Sequence, residues 1–338
     1  MTEKPQKTIP YQKIGVIGAG AWGTALALIA ARAGRRVTLW ARETEVVESI
    51  RQTGRNAQFL PDIALPPGIV ATDDLATAAG AAEALLIVVP AQHLRASLAA
   101  VAVCAPRGIP LVLCAKGIER PSGKLPTEIF QETAPELVPA ILSGPSFAHD
   151  VARGLPTAVT IAAQTGIAQR LQATLGHATF RPYESDDLLG VALGGAAKNV
   201  YAIASGMVHG LGLGESARAA LLARSFAELV RFGEALGARA ETLMGLSGLG
   251  DLVLTATSPS SRNFRFGVEV GRGRTLAELS APGQPLAEGV ATAPALVIRA
   301  RKEMIELPVA ETVASVLDGS LPLDAAIVRL MSRPLKSE

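Results

Sequence analysis

The sequence predicts an α/β protein of two domains: an N-terminal doubly wound sheet, then a mostly helical C-terminal domain. Three observations carry that prediction. Residues 85–89 (LLIVV) and 111–115 (LVLCA) are short, wholly apolar runs without alternation, as strands of a parallel sheet covered on both faces require. Helical segments such as 94–103 lie between the apolar runs, and strands alternating with helices mean a doubly wound topology. After Asp187 the pattern changes to long Ala/Leu/Gly segments at 188–210, 215–237, 286–304 and 309–317. A length of 338 residues suits two such domains, and we divide them as 13–189 and 190–338.

The elements follow in order. Residues 1–12 are polar and read as a loose arm. A strand over 13–17 leads into an Ala-rich helix over 21–34, closed by Gly34. A second strand spans 35–41 and an amphipathic helix 43–52. A Pro-rich connection over 61–68 precedes a short strand at 69–71. Residues 140–143 and 157–163 extend the sheet, and 179–183 form its last edge.

The uncharged stretch 14–31 follows Lys4, Lys7 and Lys13, so it invites reading as a signal peptide or a membrane span. Gly15, Gly18, Gly20 and Gly23 argue against both. Each glycine costs about 0.8–1.0 kcal/mol relative to alanine inside a helix. The run breaks instead into strand, turn and helix, and no membrane span is expected.

Composition narrows the function. The 32 basic and 30 acidic residues leave a net charge of +2, and the chain has only two Trp, three Tyr and eight Phe. That balance excludes a polyphosphate-tracking groove with base-stacking platforms, so no nucleic-acid partner is expected. A hydrophobic content of 49% excludes disorder. Cys104 and Cys114 sit in apolar stretches without a C-x-x-C spacing, which suits a reducing cytoplasm. His93, His149, His177 and His209 show no metal-ligand spacing, and no metal is predicted.

The chemistry-bearing motifs begin at Gly18-Ala-Gly20-Ala-Trp-Gly23, a G-x-G-x-x-G between strand and helix. In this Rossmann-type fingerprint Gly18 permits the tight turn and Gly20 lets the backbone approach a pyrophosphate. Gly23 lets the helix pack close to the strand. The second strand ends in Leu-Trp-Ala-Arg42, without the acid that usually holds an NAD ribose. Arg42 suits a 2′-phosphate, so NADP(H) is preferred, while the neighbouring Glu43 keeps NAD(H) possible.

Lys198 is the lone charge in the apolar stretch 188–213, and burying an ammonium lowers its pKa toward neutrality, as proton transfer needs. Gly194, Gly195, Ala196 and Ala197 leave space around it. Lys116 follows the 111–115 strand at the carboxyl end, where open α/β sheets bind ligands. Asp251 closes a glycine-rich flexible loop, 245–250, and is an acid able to orient Lys198 or to cap a helix. Ser261, Arg262 and Asn263 follow a Ser/Pro loop and on their own read as a solvated turn, but together they also offer a hydroxyl, a guanidinium and an amide that suit a phosphate monoester.

Eight motifs in order resemble the bacterial NAD(P)-dependent glycerol-3-phosphate dehydrogenases. They are GAGAWGTALA in the first turn, VVPA at 88–91, AKGIE at 115–119 and GPSFA at 144–148. KNVYAIASG at 198–206, GLGDLVLT at 248–255, TSPSSRN at 257–263 and LAEGV at 286–290 complete the set. The resemblance covers nearly the whole chain and implies hydride transfer between NAD(P)H and dihydroxyacetone phosphate. Its product would be sn-glycerol 3-phosphate for glycerophospholipid synthesis, made by a homodimer. It further implies that Lys198 is the proton donor and acceptor, with Lys116 touching both substrate and nicotinamide. Gly144, Ser146, Asp251, Ser261, Arg262 and Asn263 would be substrate contacts. Ala21, Trp22, Arg42, Ala148, Arg262, Leu286 and Glu288 would be cofactor contacts. Ala21 and Leu286 depart from the serine and valine frequent in the family. Two rival readings are a dehydrogenase of similar architecture for a non-phosphorylated hydroxy or sugar acid, and an NAD(P)H-sensing regulator. The regulator has no use for a buried lysine.

Overall fold

The computed structural model describes residues 8–120, 122–279, 281 and 287–332, which form two compact units. The first comprises residues up to 115 and 127–188; the second comprises 116–126 and 189 onward. The segment 116–126, which the sequence reading leaves in the first domain, thus packs with the second.

In the first unit, β1 (Lys13–Ile17), α1 (Ala21–Arg32) and β2 (Arg36–Trp40) are followed by α2 (Thr44–Thr53). A hairpin of β3 (Arg55–Asn56) and β4 (Leu60–Ala64) forms a separate antiparallel sheet where only a connection is expected. Next come β5 (Ile69–Thr72), α3 (Leu75–Ala79), β6 (Ala84–Ile87), α4 (Leu94–Cys104) and β7 (Pro110–Leu113). The unit ends with α5 (Pro126–Thr133), β8 (Val138–Ser143), α6 (Ala148–Ala152), β9 (Thr157–Ala162), α7 (Thr165–Leu175) and β10 (Phe180–Ser185).

The main sheet has the order β10-β9-β8-β7-β6-β1-β2-β5. Every pairing in it is parallel except β8 with β9, which is antiparallel. Residues 144–156 hold only the five-residue α6, and they return the chain beside β8 in the opposite sense. β6 and β7 are buried along their whole length, as their unbroken apolar runs demand. The order reverses between β1 and β6, which places the glycine turn after β1 at the topological switch point, where open α/β sheets take ligands.

The expected loose arm is partly pinned; residues 1–7 lie outside the described residues. Tyr11 is buried, its N–H donates to Thr174 Oγ1 at 2.9 Å, and Arg170 stacks 3.8 Å from its ring centroid. That anchorage depends on residues more than 150 positions away, so no local pattern signals it.

The second unit is mostly helical: α8 (Leu188–Gly210), α9 (Glu215–Leu236), α10 (Ala240–Met244), α11 (Asp251–Thr257) and α12 (Arg262–Gly271). After these come α13 (Leu276–Leu279), α14 (Glu288–Lys302), α15 (Pro308–Leu317) and α16 (Leu323–Met331). Helix α8 is long and apolar enough to cross a membrane, yet 89% of its apolar window is buried inside the protein. It is the helix around which this unit's core is built.

Candidate active site

The glycine turn of the first unit shows why glycine is needed. Gly18 has φ +110°, and a Cβ there would lie 2.5 Å from the Val88 carbonyl oxygen. A Cβ on Gly23 would fall 1.8 Å from the Gly18 carbonyl oxygen, so only glycine lets α1 start this close to β1. Gly20, the residue before α1, has no atom within 4 Å of where its side chain would begin. The turn is therefore closed behind and open in front, a cradle that fits a dinucleotide pyrophosphate at the helix N-terminus. Ala21 and Trp22 open the helix, and the buried indole Nε1 of Trp22 has no hydrogen-bond partner among the described residues. Arg42 is exposed at the end of β2, with Nη2 2.6 Å from Glu43 Oε1. Ile17, Trp40, Arg42, Leu75 and Ser97 line a pocket there.

Also in this unit, Gly144 has φ +144°, and its missing side chain lets the chain pass within contact of Val159. Ser146 Oγ donates to the Gly144 carbonyl at 3.0 Å, and Ala148 is the first residue of α6.

The second unit gathers the charged residues. Lys198 is only 7% exposed on α8, and Asp251 is 1% exposed at the start of α11. Lys198 Nζ donates to Asp251 Oδ1 at 2.5 Å, and Lys116 Nζ to Asp251 Oδ2 at 2.7 Å. One carboxylate thus bridges two ammonium groups. Burial pulls the Lys198 pKa down to about 8, helped by the Lys116 charge and opposed by Asp251. Burial alone would raise Asp251, but Lys116 and Lys198 outweigh it and hold the carboxyl below its usual range. Burial pushes the partly buried Glu288 up to about 7, against the pull of Arg262, Lys198 and Lys116.

Sequence reasoning misses two members of this cluster. Thr255 Oγ1 accepts from Lys198 Nζ at 2.7 Å and donates to Asp251 Oδ1 at 3.2 Å. Asn199 Nδ2 donates to the Lys116 carbonyl at 2.8 Å, and Asn199 Oδ1 accepts from Asn263 Nδ2 at the same distance. Asn199 carries a signal, being polar within an apolar helix; Thr255, four residues after Asp251, shares its face only once the segment is known to be helical.

The small residues near Lys198 do a different job from the expected one. A Cβ on Gly194 would lie 2.7 Å from the Ser247 carbonyl oxygen and 2.9 Å from Gly248 Cα. The glycine clears no space; it lets α8 touch the backbone just ahead of Asp251, which brings the carboxylate within reach of Lys198. Residues 246–250 are accordingly a π-helical turn packed on α8, not the expected flexible loop. Gly206 and Gly267 allow an equally close crossing of α8 and α12.

The remaining residues fall as follows. Ser261 is the N-cap of α12, its Oγ accepting from Phe264 N at 3.2 Å, which leaves its proton to donate. Asn263 Oδ1 accepts from Gly289 N at 2.9 Å, so its amide is committed at both ends, with one N–H left over. Arg262 is exposed at the first position of α12. Leu286 lies outside the described residues. Lys116, Lys198 and Asp251 are in direct contact, with Asn263 joined to them through Asn199.

Two family models match the chain. The model for the NAD-dependent glycerol-3-phosphate dehydrogenase N-terminus matches residues 13–168, and the one for its C-terminus matches 187–328. A glycerol-3-phosphate dehydrogenase (NAD(P)+) of Parvibaculum lavamentivorans is 55% identical over 332 residues, covering 98% of this chain and 99% of that relative. A protein of the same name from Bradyrhizobium sp. (strain ORS 278) is 57% identical over 329 residues, 97% of this chain and 98% of the relative. The crystal structure of glycerol-3-phosphate dehydrogenase from Coxiella burnetii superposes with a TM-score of 0.91 at 36% identity. It covers 95% of this chain and 99% of that one.

Proposed function

Because the chain belongs to the NAD-dependent glycerol-3-phosphate dehydrogenase family, we propose that its buried Lys198 is the group that moves the proton in that family's reaction. The protein is an NAD(P)-dependent oxidoreductase that interconverts dihydroxyacetone phosphate and sn-glycerol 3-phosphate. When bound, the nicotinamide supplies or accepts the hydride at the substrate C2.

The chain's own residues do the rest. Lys198 Nζ carries three N–H donors, of which Asp251 Oδ1 and Thr255 Oγ1 take two. The third is left for the substrate carbonyl oxygen, which it polarises and then protonates as negative charge develops. With a pKa of about 8, Lys198 holds that proton at neutral pH yet releases it readily, and the same atom takes it back in the oxidative direction. Asp251 fixes the ammonium geometrically and keeps it charged, and Lys116, on the other carboxylate oxygen, is the proposed contact to substrate and nicotinamide. That single arrangement, one buried carboxylate holding two ammonium groups, is the observation that carries the proposal.

The phosphate end falls to Arg262 and the first turn of α12, where a guanidinium and helix N–H groups coincide, with Ser261 and Asn263 beside them. Gly144 and Ser146 are further proposed substrate contacts. Gly18, Gly20, Ala21, Trp22 and Gly23 hold the pyrophosphate, with Ala148, Leu286 and Glu288 as further cofactor contacts. Arg42 exchanges Glu43 for a ribose 2′-phosphate, which favours NADPH, and Glu43 keeps NADH usable.

Dihydroxyacetone and dihydroxyacetone phosphate, each assayed with NADPH and NADH, test this assignment. The phosphate should raise kcat/KM by several orders of magnitude, because binding energy from the non-reacting group orients the carbonyl. Arg262→Ala should raise KM for the phosphorylated substrate about tenfold or more, as losing a charge-assisted hydrogen bond costs, and change KM for dihydroxyacetone far less. An unchanged KM would remove Arg262 from the phosphate site.

A further inference from the structure

The hairpin after α2 reaches the glycine turn through one side chain. Asn56, on β3, is fully buried. Its Nδ2 donates to the Ala19 carbonyl at 2.8 Å and to Thr24 Oγ1 at 2.8 Å, and its Oδ1 accepts from Phe59 N at 3.2 Å. Thr24, also fully buried, adds a second donor to the same carbonyl, Oγ1 to Ala19 O at 3.3 Å. Ala19 is the residue between Gly18 and Gly20, so two side chains from different elements fix the orientation of a single peptide group inside the turn.

That peptide joins Ala19 to Gly20. In a planar trans peptide the C=O and the N–H point in opposite directions. Anchoring the Ala19 carbonyl inward therefore aims the Gly20 N–H outward, at a residue with open space around it. Gly20 on its C-terminal side makes this peptide easier to flip than one between two side-chain-bearing residues, because glycine accepts either sign of φ. Without an anchor, the turn would sample orientations that present a carbonyl oxygen to an anion.

We propose that Asn56, together with Thr24, is a positioning residue for the cofactor. By holding the Ala19 carbonyl, the pair presents the Gly20 N–H to the dinucleotide pyrophosphate. This rests on the reading of the glycine turn as the pyrophosphate site. The β3–β4 hairpin is then part of the cofactor machinery, although none of its side chains needs to touch the cofactor.

Titration of the full-length protein with NADPH and with adenosine 2′-monophosphate, which lacks a pyrophosphate, tests it. Asn56→Asp preserves the acceptor for Phe59 N but sets an oxygen against two oxygens; Asn56→Ala removes the contacts outright. Both should weaken NADPH binding about tenfold or more, the loss of one to two buried hydrogen bonds, with the 2′-monophosphate unaffected. KM for dihydroxyacetone phosphate at saturating NADPH should not move. Thr24→Val should weaken NADPH a few-fold and Thr24→Ser should restore it, an arm that decides the matter if the Asn56 variants do not fold. Wild-type NADPH affinity in folded Asn56 variants, or equal loss of both ligands, would overturn the proposal. A Gly20→Val variant that loses NADPH while Asn56 variants keep it refutes the proposal alone. If Gly20→Val also keeps it, the turn reading fails and the proposal with it.

Discussion

Lys198→Ala lowers turnover of dihydroxyacetone phosphate by about 10³–10⁴-fold while NADPH binds with unchanged affinity. The size follows from removing both the proton and the positive charge from the developing alkoxide, and general acid catalysis alone contributes about 10²–10⁴-fold. The split follows from the structure. Lys198 lies on α8 in the second unit, whereas the glycine turn and Arg42 lie in the first. Alanine is the best helix former and leaves Asp251 paired with Lys116, so the variant should fold. Steady-state kinetics beside NADPH titration read both quantities. Turnover within tenfold of wild type would take the proton-transfer role away from Lys198.

Asp251→Asn is nearly as damaging, through a different route. The aspartate is the main group that keeps Lys198 charged against burial and the repulsion of Lys116, with a smaller contribution from Glu288. An amide of the same shape removes that support and leaves the buried Lys198 facing the half-buried Lys116. Lys198 then titrates below its present value of about 8, and less of it carries a proton at neutral pH. We expect kcat/KM for reduction to fall about 10²-fold or more at pH 7.5, and its alkaline limb to move to lower pH. Removing one partner of a buried pair also costs about 3–5 kcal/mol of stability, so the melting temperature should drop as well. Unchanged position of the pH limb would mean that Asp251 does not set the lysine's charge.

How much of this was legible depends on how local each signal is. Lys198 stands out because it is the one charge in a 26-residue stretch that is otherwise mostly apolar and small, a contrast visible without coordinates. The strands at 85–89 and 111–115 are legible because a continuous apolar run leaves few alternatives. Thr255 is hidden inside LVLTAT, which reads as strand or helix equally well and gives no face until α11 is known. The roles of Gly194 and Gly206 are also hidden: a glycine in a helix looks like spare room until the partner backbone is seen pressed against it. The antiparallel β9 and the placement of 116–126 rest on pairings between distant segments, which periodicity does not encode. Asn56 belongs with these, since its meaning lies 37 residues upstream in a peptide group that carries no side-chain chemistry.

The pH dependence of kcat/KM in both directions tests the account most directly. Reduction of dihydroxyacetone phosphate needs Lys198 protonated, so its kcat/KM should be constant below, and fall through, about pH 8. Oxidation of sn-glycerol 3-phosphate needs the neutral amine, so its kcat/KM should rise through the same pH. Mirror-image profiles crossing near pH 8 are the predicted result. Profiles that are flat across this range, or that move in the same direction, would contradict a buried Lys198 as the group that gives and takes the proton.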